Sequence, residues 1–244
     1  MTDSILEIGG AGLESTDQRV KKLMDSLSSS QVPGYIKSEA VIRGFPLELE
    51  AATQKVNTFK PQVEGSYFSD LRGALEKTNS QLDLALGSDG FFVIAGPWGE
   101  GYTRDGRFQL DRDGRLLTVA GNYSVLGQGG PIVVTPGAAV EFTDEGDVMV
   151  DGVKVDSLRV VQPESKTGFE PVSGSIFRKL NDSVAMQEIE EPRVIRGYVE
   201  SSNVNVVDEM MEMIFLDRIY GINAKIISTR DGNLSKLMEI AKTQ

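Results

Sequence analysis

Apolar positions recur at helical spacing at both ends of the chain and in short runs broken by turn residues in the middle, which predicts an α+β protein. Near the start, Leu13, Val20, Met24 and Leu27, with Leu23 beside them, fall at threes, fours and sevens among Gln18, Arg19, Lys21 and Lys22. This predicts an amphipathic helix that stops at Ser28, Ser29 and Ser30 before Pro33 and Gly34. Gly9, Gly10 and Gly12 each cost a helix about 1 kcal/mol relative to Ala, so the first dozen residues are expected to fray.

The opposite end predicts a longer helix, from about Val206 to Lys242. Asn205 can cap it, Asp208, Glu209 and Glu212 suit its positive end, and Lys236 and Lys242 suit its negative end. Two apolar stripes run along it. One contains Val206, Met210, Met213, Tyr220, Ala224, Ile227, Leu234, Met238 and Ala241; the other contains Val207, Met211, Ile214, Phe215, Ile219, Ile222, Ile226, Leu237 and Ile240. Such a helix is about 55 Å long. Its two faces need two partners: the amino-terminal helix and β part of the same chain, or other copies.

Between the ends, residues 36–80 show no sustained period, with a short helical possibility around Leu71 to Glu76, and are expected to form an irregular extended linker. From 81 to 199 the texture is that of an all-β domain. Runs such as Phe91 to Ile94, Val140 to Thr143 and Leu158 to Val161 alternate with turns at Asp89-Gly90, Asp105-Gly106, Asp113-Gly114, Gly129-Gly130, Glu145-Gly146 and Asp151-Gly152. The expected segments are therefore 1–35, 36–80, 81–199 and 200–244.

Composition narrows the chemistry. There is no histidine and no cysteine, which excludes Ser-His-Asp and Cys-His nucleophiles, thiolate or imidazole zinc sites and disulfides. A formal charge of −11 disfavours nucleic acid and anionic membranes. No apolar run reaches membrane-spanning length, and Met1 to Leu27 lacks the basic start and compact apolar stretch of a cleaved secretion signal.

The remaining motifs have plain readings. Asp111-Arg112-Asp113-Gly114 fails as a calcium loop because its sixth position is Leu116 and its twelfth Asn122; a hairpin turn accounts for it. Gly127, Gly129 and Gly130 lack the lysine and following helix of a phosphate loop. No cofactor or metal is predicted. Carboxylates or tyrosines around Tyr102 and Trp98 leave open a carbohydrate-binding or carbohydrate-acting periplasmic β domain.

Several segments, in order, resemble the axial rod and hook proteins of the bacterial flagellum. They are Leu82-Asp83-Leu84-Ala85, Gly90-Phe91-Phe92, Tyr102-Thr103-Arg104-Asp105-Gly106-Arg107-Phe108, and Gly197-Tyr198-Val199-Glu200-Ser201-Ser202-Asn203-Val204-Asn205, continuing through Glu209-Met210 to Tyr220 and Asn223. Near the amino terminus only Pro33-Gly34-Tyr35 fits well, and Gly221 stands where an acid is usual. Gly130 to Val134 and Gly174 to Arg178 are most similar to the proximal rod branch, then to the distal rod branch.

The resemblance implies a structural subunit without catalytic activity, exported unfolded through the flagellar type III channel with no cleaved signal. It would assemble helically in the basal body, in the periplasm, with other copies and other rod proteins. The terminal helices would pack as a coiled-coil-like axial core, with the β domain outside them and the 36–80 segment wedged between neighbours. The expected subunit contacts are Val20, Leu23, Met24 and Leu27 with Val207, Met210, Met211, Ile214, Ile222 and Ile226.

Overall fold

The computed structural model describes residues 2–50, 55–69, 71–165, 167–180 and 184–242, with side chains described outside 2–8, 40–66 and 233–242. Two compact units are present. One comprises 1–27, 39–66 and 205–244; the other comprises 28–38 and 67–204.

The first unit contains two helices, α1 (Thr2–Ser28) and α2 (Val206–Lys242), and a two-stranded hairpin of Ser38–Glu50 with Lys55–Phe68, whose last two residues lie in the other unit. The start of α2 follows from its cap: the Val207 N–H donates to Asn205 Oδ1 at 3.1 Å, and Asp208 and Glu209 fill the first turn. Helix α1 differs from expectation by continuing through its glycines to Thr2. The reason is close approach to α2: a Cβ on Gly9 would lie 3.3 Å from Ile227 Cγ1, and one on Gly12 3.1 Å from Asn223 Nδ2. Packing against α2 offsets the intrinsic cost of glycine.

The hairpin corrects a second expectation, because 38–68 is not irregular. Pro46 and Pro61 argue against an interior strand, yet a two-stranded ribbon has an outward edge on each strand where a missing N–H costs no ladder bond. Nor is Leu71 to Glu76 helical. Leu75–Lys77 is a strand antiparallel to Tyr198–Glu200.

The second unit is built on a ten-stranded sheet whose main path runs 169–173, 176–179, 99–103, 91–96, 124–127, 116–118, 108–110. The pairings among the described residues are antiparallel, and a three-stranded sheet of 140–142, 147–150 and 153–157 joins it. The central strand Phe91–Gly96 reads as an unbroken apolar run because both of its faces are covered. Phe92 joins a core with Phe108, Leu116, Val125, Phe142 and Val148. Phe91 and Val93 join a second core on the opposite face with Phe68, Tyr102, Phe169 and Phe177.

Four of the six expected turns lie in hairpin connections, and Asp151 and Gly152 both take positive φ, as a tight two-residue turn requires. Asp111 closes another: its Oδ1 accepts the N–H groups of Asp113 and Arg115 at 2.9 and 2.8 Å, a turn-stabilising role for a residue with a cation-site look. Asp89-Gly90 and Asp105-Gly106 do not join paired strands. Both belong to the buried junction described below.

Candidate assembly interface

Helices α1 and α2 run antiparallel, with Gly9 at Ile227, Gly12 at Asn223, and Arg19 Nη2 bonded to Glu212 Oε1 at 3.0 Å. The covered faces mix apolar and polar groups. On α1 the buried residues are Ala11, Ser15, Thr16, Leu23 and Ser26, and the hydroxyls of Ser15 and Thr16 bond back to Gly12 O at 3.0 and 2.7 Å. Among the described residues of α2 only Glu209 and Leu216 are fully buried, while Met213, Ile219, Asn223 and Ile227 are half-buried.

The richer face is left open. Val207, Met210, Met211, Ile214, Phe215, Ile222 and Ile226 are all exposed, Met211 at 58% and Ile222 at 60%. These are chiefly the second stripe read from the sequence. A protein in water hides such side chains when it can, so an apolar ridge left exposed beside a packed seam marks an interaction surface.

Each expected contact residue thus has a definite place. The six on α2 are exposed; on α1, Met24 is exposed, Val20 and Leu27 are half-buried, and Leu23 is only 4% exposed. Leu23 is already covered by its own chain. Leu234, Leu237, Met238, Ile240 and Ala241 lie outside the described side chains.

A second feature, in the β unit, was visible in the sequence only through the resemblance. Glu200, 3% exposed, ends the strand Tyr198–Glu200 and gathers three groups: Arg104 Nη1 at 3.4 Å, Arg72 Nη2 at 3.3 Å and the Gly73 N–H at 3.1 Å. Arg104 also donates from Nε to Gly90 O at 2.9 Å and lies 5.2 Å from the Phe91 ring centroid. Burial pulls the Arg104 pKa down, and the Glu200 carboxylate opposes that shift.

The backbone around these charges is tightly fitted. Gly34, with φ +69°, donates to Glu200 O at 2.7 Å, and a Cβ on it would stand 2.1 Å from the Asp105 nitrogen. Asn203 completes the clamp by accepting from the Lys37 N–H at 2.7 Å and donating to Leu71 O at 2.7 Å. The segments 33–37, 71–76, 103–107 and 197–203 therefore meet where the chain enters and leaves the β unit. Their separation in sequence conceals this junction from periodicity.

The aromatic residues of the carbohydrate reading do not form a sugar platform. Tyr102 lies in the core, where burial, then the Glu100 charge and hydrogen bond, push its pKa up to about 12. Trp98 meets Tyr123 edge to face at 4.7 Å and folds back over Gly96. Among the described residues no group of acidic side chains is placed to hold a metal, and no helix is long and apolar enough to cross a membrane.

Comparison with known proteins finds family matches over both regions. Residues 195–240 match the family described as flagellar basal body rod FlgEFG protein C-terminal, and 85–152 match the flagellar hook protein FlgE/F/G D1 domain. The chain is 31% identical over 182 residues to the flagellar basal-body rod protein FlgG of Bacillus subtilis, covering 69% of each. It belongs to the flagellar basal-body rod protein family. Two further relatives are 28% identical: the rod protein FlgF of Rhizobium meliloti over 225 residues, 91% of each chain, and that of Escherichia coli over 255 residues, 98% of each. The rod family is structural rather than enzymatic. Its carboxy-terminal match spans the exposed ridge of α2 and Glu200 of the junction; its D1 match spans the central strand and Arg104.

Proposed function

We propose that this chain is a structural subunit of the flagellar basal-body rod that assembles helically through its terminal helices and passes torque from motor to hook. One observation carries the reading: α2 keeps an exposed apolar ridge, Val207, Met210, Met211, Ile214, Phe215, Ile222 and Ile226, besides the face that it turns to α1. Contacts between copies that repeat without closing build a filament, and a ridge of this kind supplies burial to each copy. The contacts proposed are Val207, Met210, Met211, Ile214, Ile222 and Ile226 on α2, with Val20, Met24 and Leu27 on α1.

The partners are other copies and other rod proteins, and the subunit reaches its place through the type III export machinery. Similarity in 130–134 and 174–178 favours the proximal part of the rod. The β unit, held together by its charged junction, forms the outer layer.

Deletion of the gene tests the assignment. Basal bodies isolated from the deletion strain are expected to stop short of a completed rod and to be restored by the native chain. Complete, hook-bearing basal bodies in that strain would overturn it.

A further inference from the structure

Three helix glycines, Gly10, Gly221 and Gly232, have no close neighbour among the described residues, and the first two lie on charged stripes. A Cβ on Gly10 or on Gly221 would meet nothing within 4 Å, although each mid-helix glycine costs about 1 kcal/mol relative to Ala. Gly10 and Gly221 each lie on an exposed helix stripe whose charges form no ion pair among the described residues. On α1 the stripe is Gly10, Glu14, Asp17 and Lys21, at helical spacing and exposed throughout. On α2, Arg218, Gly221, Ile222, Lys225, Ile226 and Thr229 line an open groove of about 940 Å³. Glu14, Asp17, Arg218 and Lys225 form no ion pair among the described residues. Arg230, on the same groove, has a buried Nη1 with no acceptor among them.

We infer that this groove receives the Gly10 to Lys21 stripe of α1 from a second copy. The argument is charge complementarity combined with room: the groove is apolar at Ile222 and Ile226 and flanked by cations, and the incoming stripe is acidic with a glycine that permits close approach. With the helices antiparallel and Asp17 over Gly221, Glu14 faces Lys225, Lys21 faces Asp217 and Gly10 faces Thr229. Asp17 then sits between Arg218 and Lys225. The inference rests on the self-assembly reading and adds to it a specific register and an electrostatic component at the Ile222–Ile226 end of the apolar ridge. It also gives Gly221 a use, since a longer side chain there would hold the incoming helix away.

The absence of cysteine makes the test direct. Two full-length single-cysteine variants, Gly10→Cys and Thr229→Cys, are mixed under assembly conditions and oxidised gently. The mixture is expected to give a two-chain disulfide product that neither variant gives alone. Separately, the double variant Glu14→Lys with Asp17→Lys is expected to lose assembly, and adding Arg218→Glu with Lys225→Glu to the same chain is expected to restore it.

Assembly without the mixed cross-link, or unchanged by the double reversal, would overturn this seam while leaving assembly through the apolar ridge intact. A four-fold variant that folds normally by circular dichroism but stays dispersed would also overturn the seam. Failure of the native chain to associate under any condition would overturn both readings.

Discussion

Glu200→Ala is expected to lower the stability of the β unit by about 3–5 kcal/mol, because it leaves the buried Arg104 guanidinium without its carboxylate. The loss is this large because Glu200 serves three donors at once, and its removal also strands the Gly73 N–H. In a unit of this size each kcal/mol moves the melting temperature by roughly 2–4 °C, so the near-ultraviolet melting transition should fall by about 10 °C. Glu200→Gln keeps an acceptor for Gly73 and should lose less. A melting temperature unchanged in both variants would show that the junction contributes no stability.

The second large effect separates folding from assembly. Ile226 is 48% exposed, so Ile226→Asp should change the free subunit's stability by no more than about 0.5 kcal/mol. In a shaft where that face is covered, the same substitution carries an unpaired carboxylate into an apolar contact, a cost of several kcal/mol per copy. Every 1.4 kcal/mol is about tenfold in an equilibrium constant, so assembly should weaken by roughly a hundredfold or more. The expected outcome is a folded, exportable subunit in cells that do not swim. Normal motility with intact basal bodies would remove Ile226 from the interface.

The two effects correspond to what the sequence does and does not reveal. Helix α2 is legible from its own residues, since Asn205, Asp208 and Glu209 mark its start and its apolar stripes persist for many turns. The central strand Phe91–Gly96 is legible as an apolar run between turns. The amino-terminal half of α1 is hidden because Gly9 and Gly12 oppose a helix by local preference, and only their proximity to Ile227 and Asn223 resolves the conflict.

The 38–68 hairpin is hidden by Pro46 and Pro61, which discourage a strand everywhere except at an edge. The Arg104–Glu200 junction is long-range: its partners are 96 residues apart, so no local pattern brings them together. The exposure of the α2 ridge has the same character. Periodicity finds the stripes, but only the fold reveals which face α1 covers.

The most direct measurement is amide hydrogen exchange along α2, made on the free subunit and again on assembled rods. The account predicts faster exchange along α2 than in the β-unit strands in the free subunit, and strong new protection of α2 on assembly. Protection of α2 in the solitary subunit equal to that in the rod would mean that its apolar ridge gains nothing from neighbouring copies, and would contradict the account.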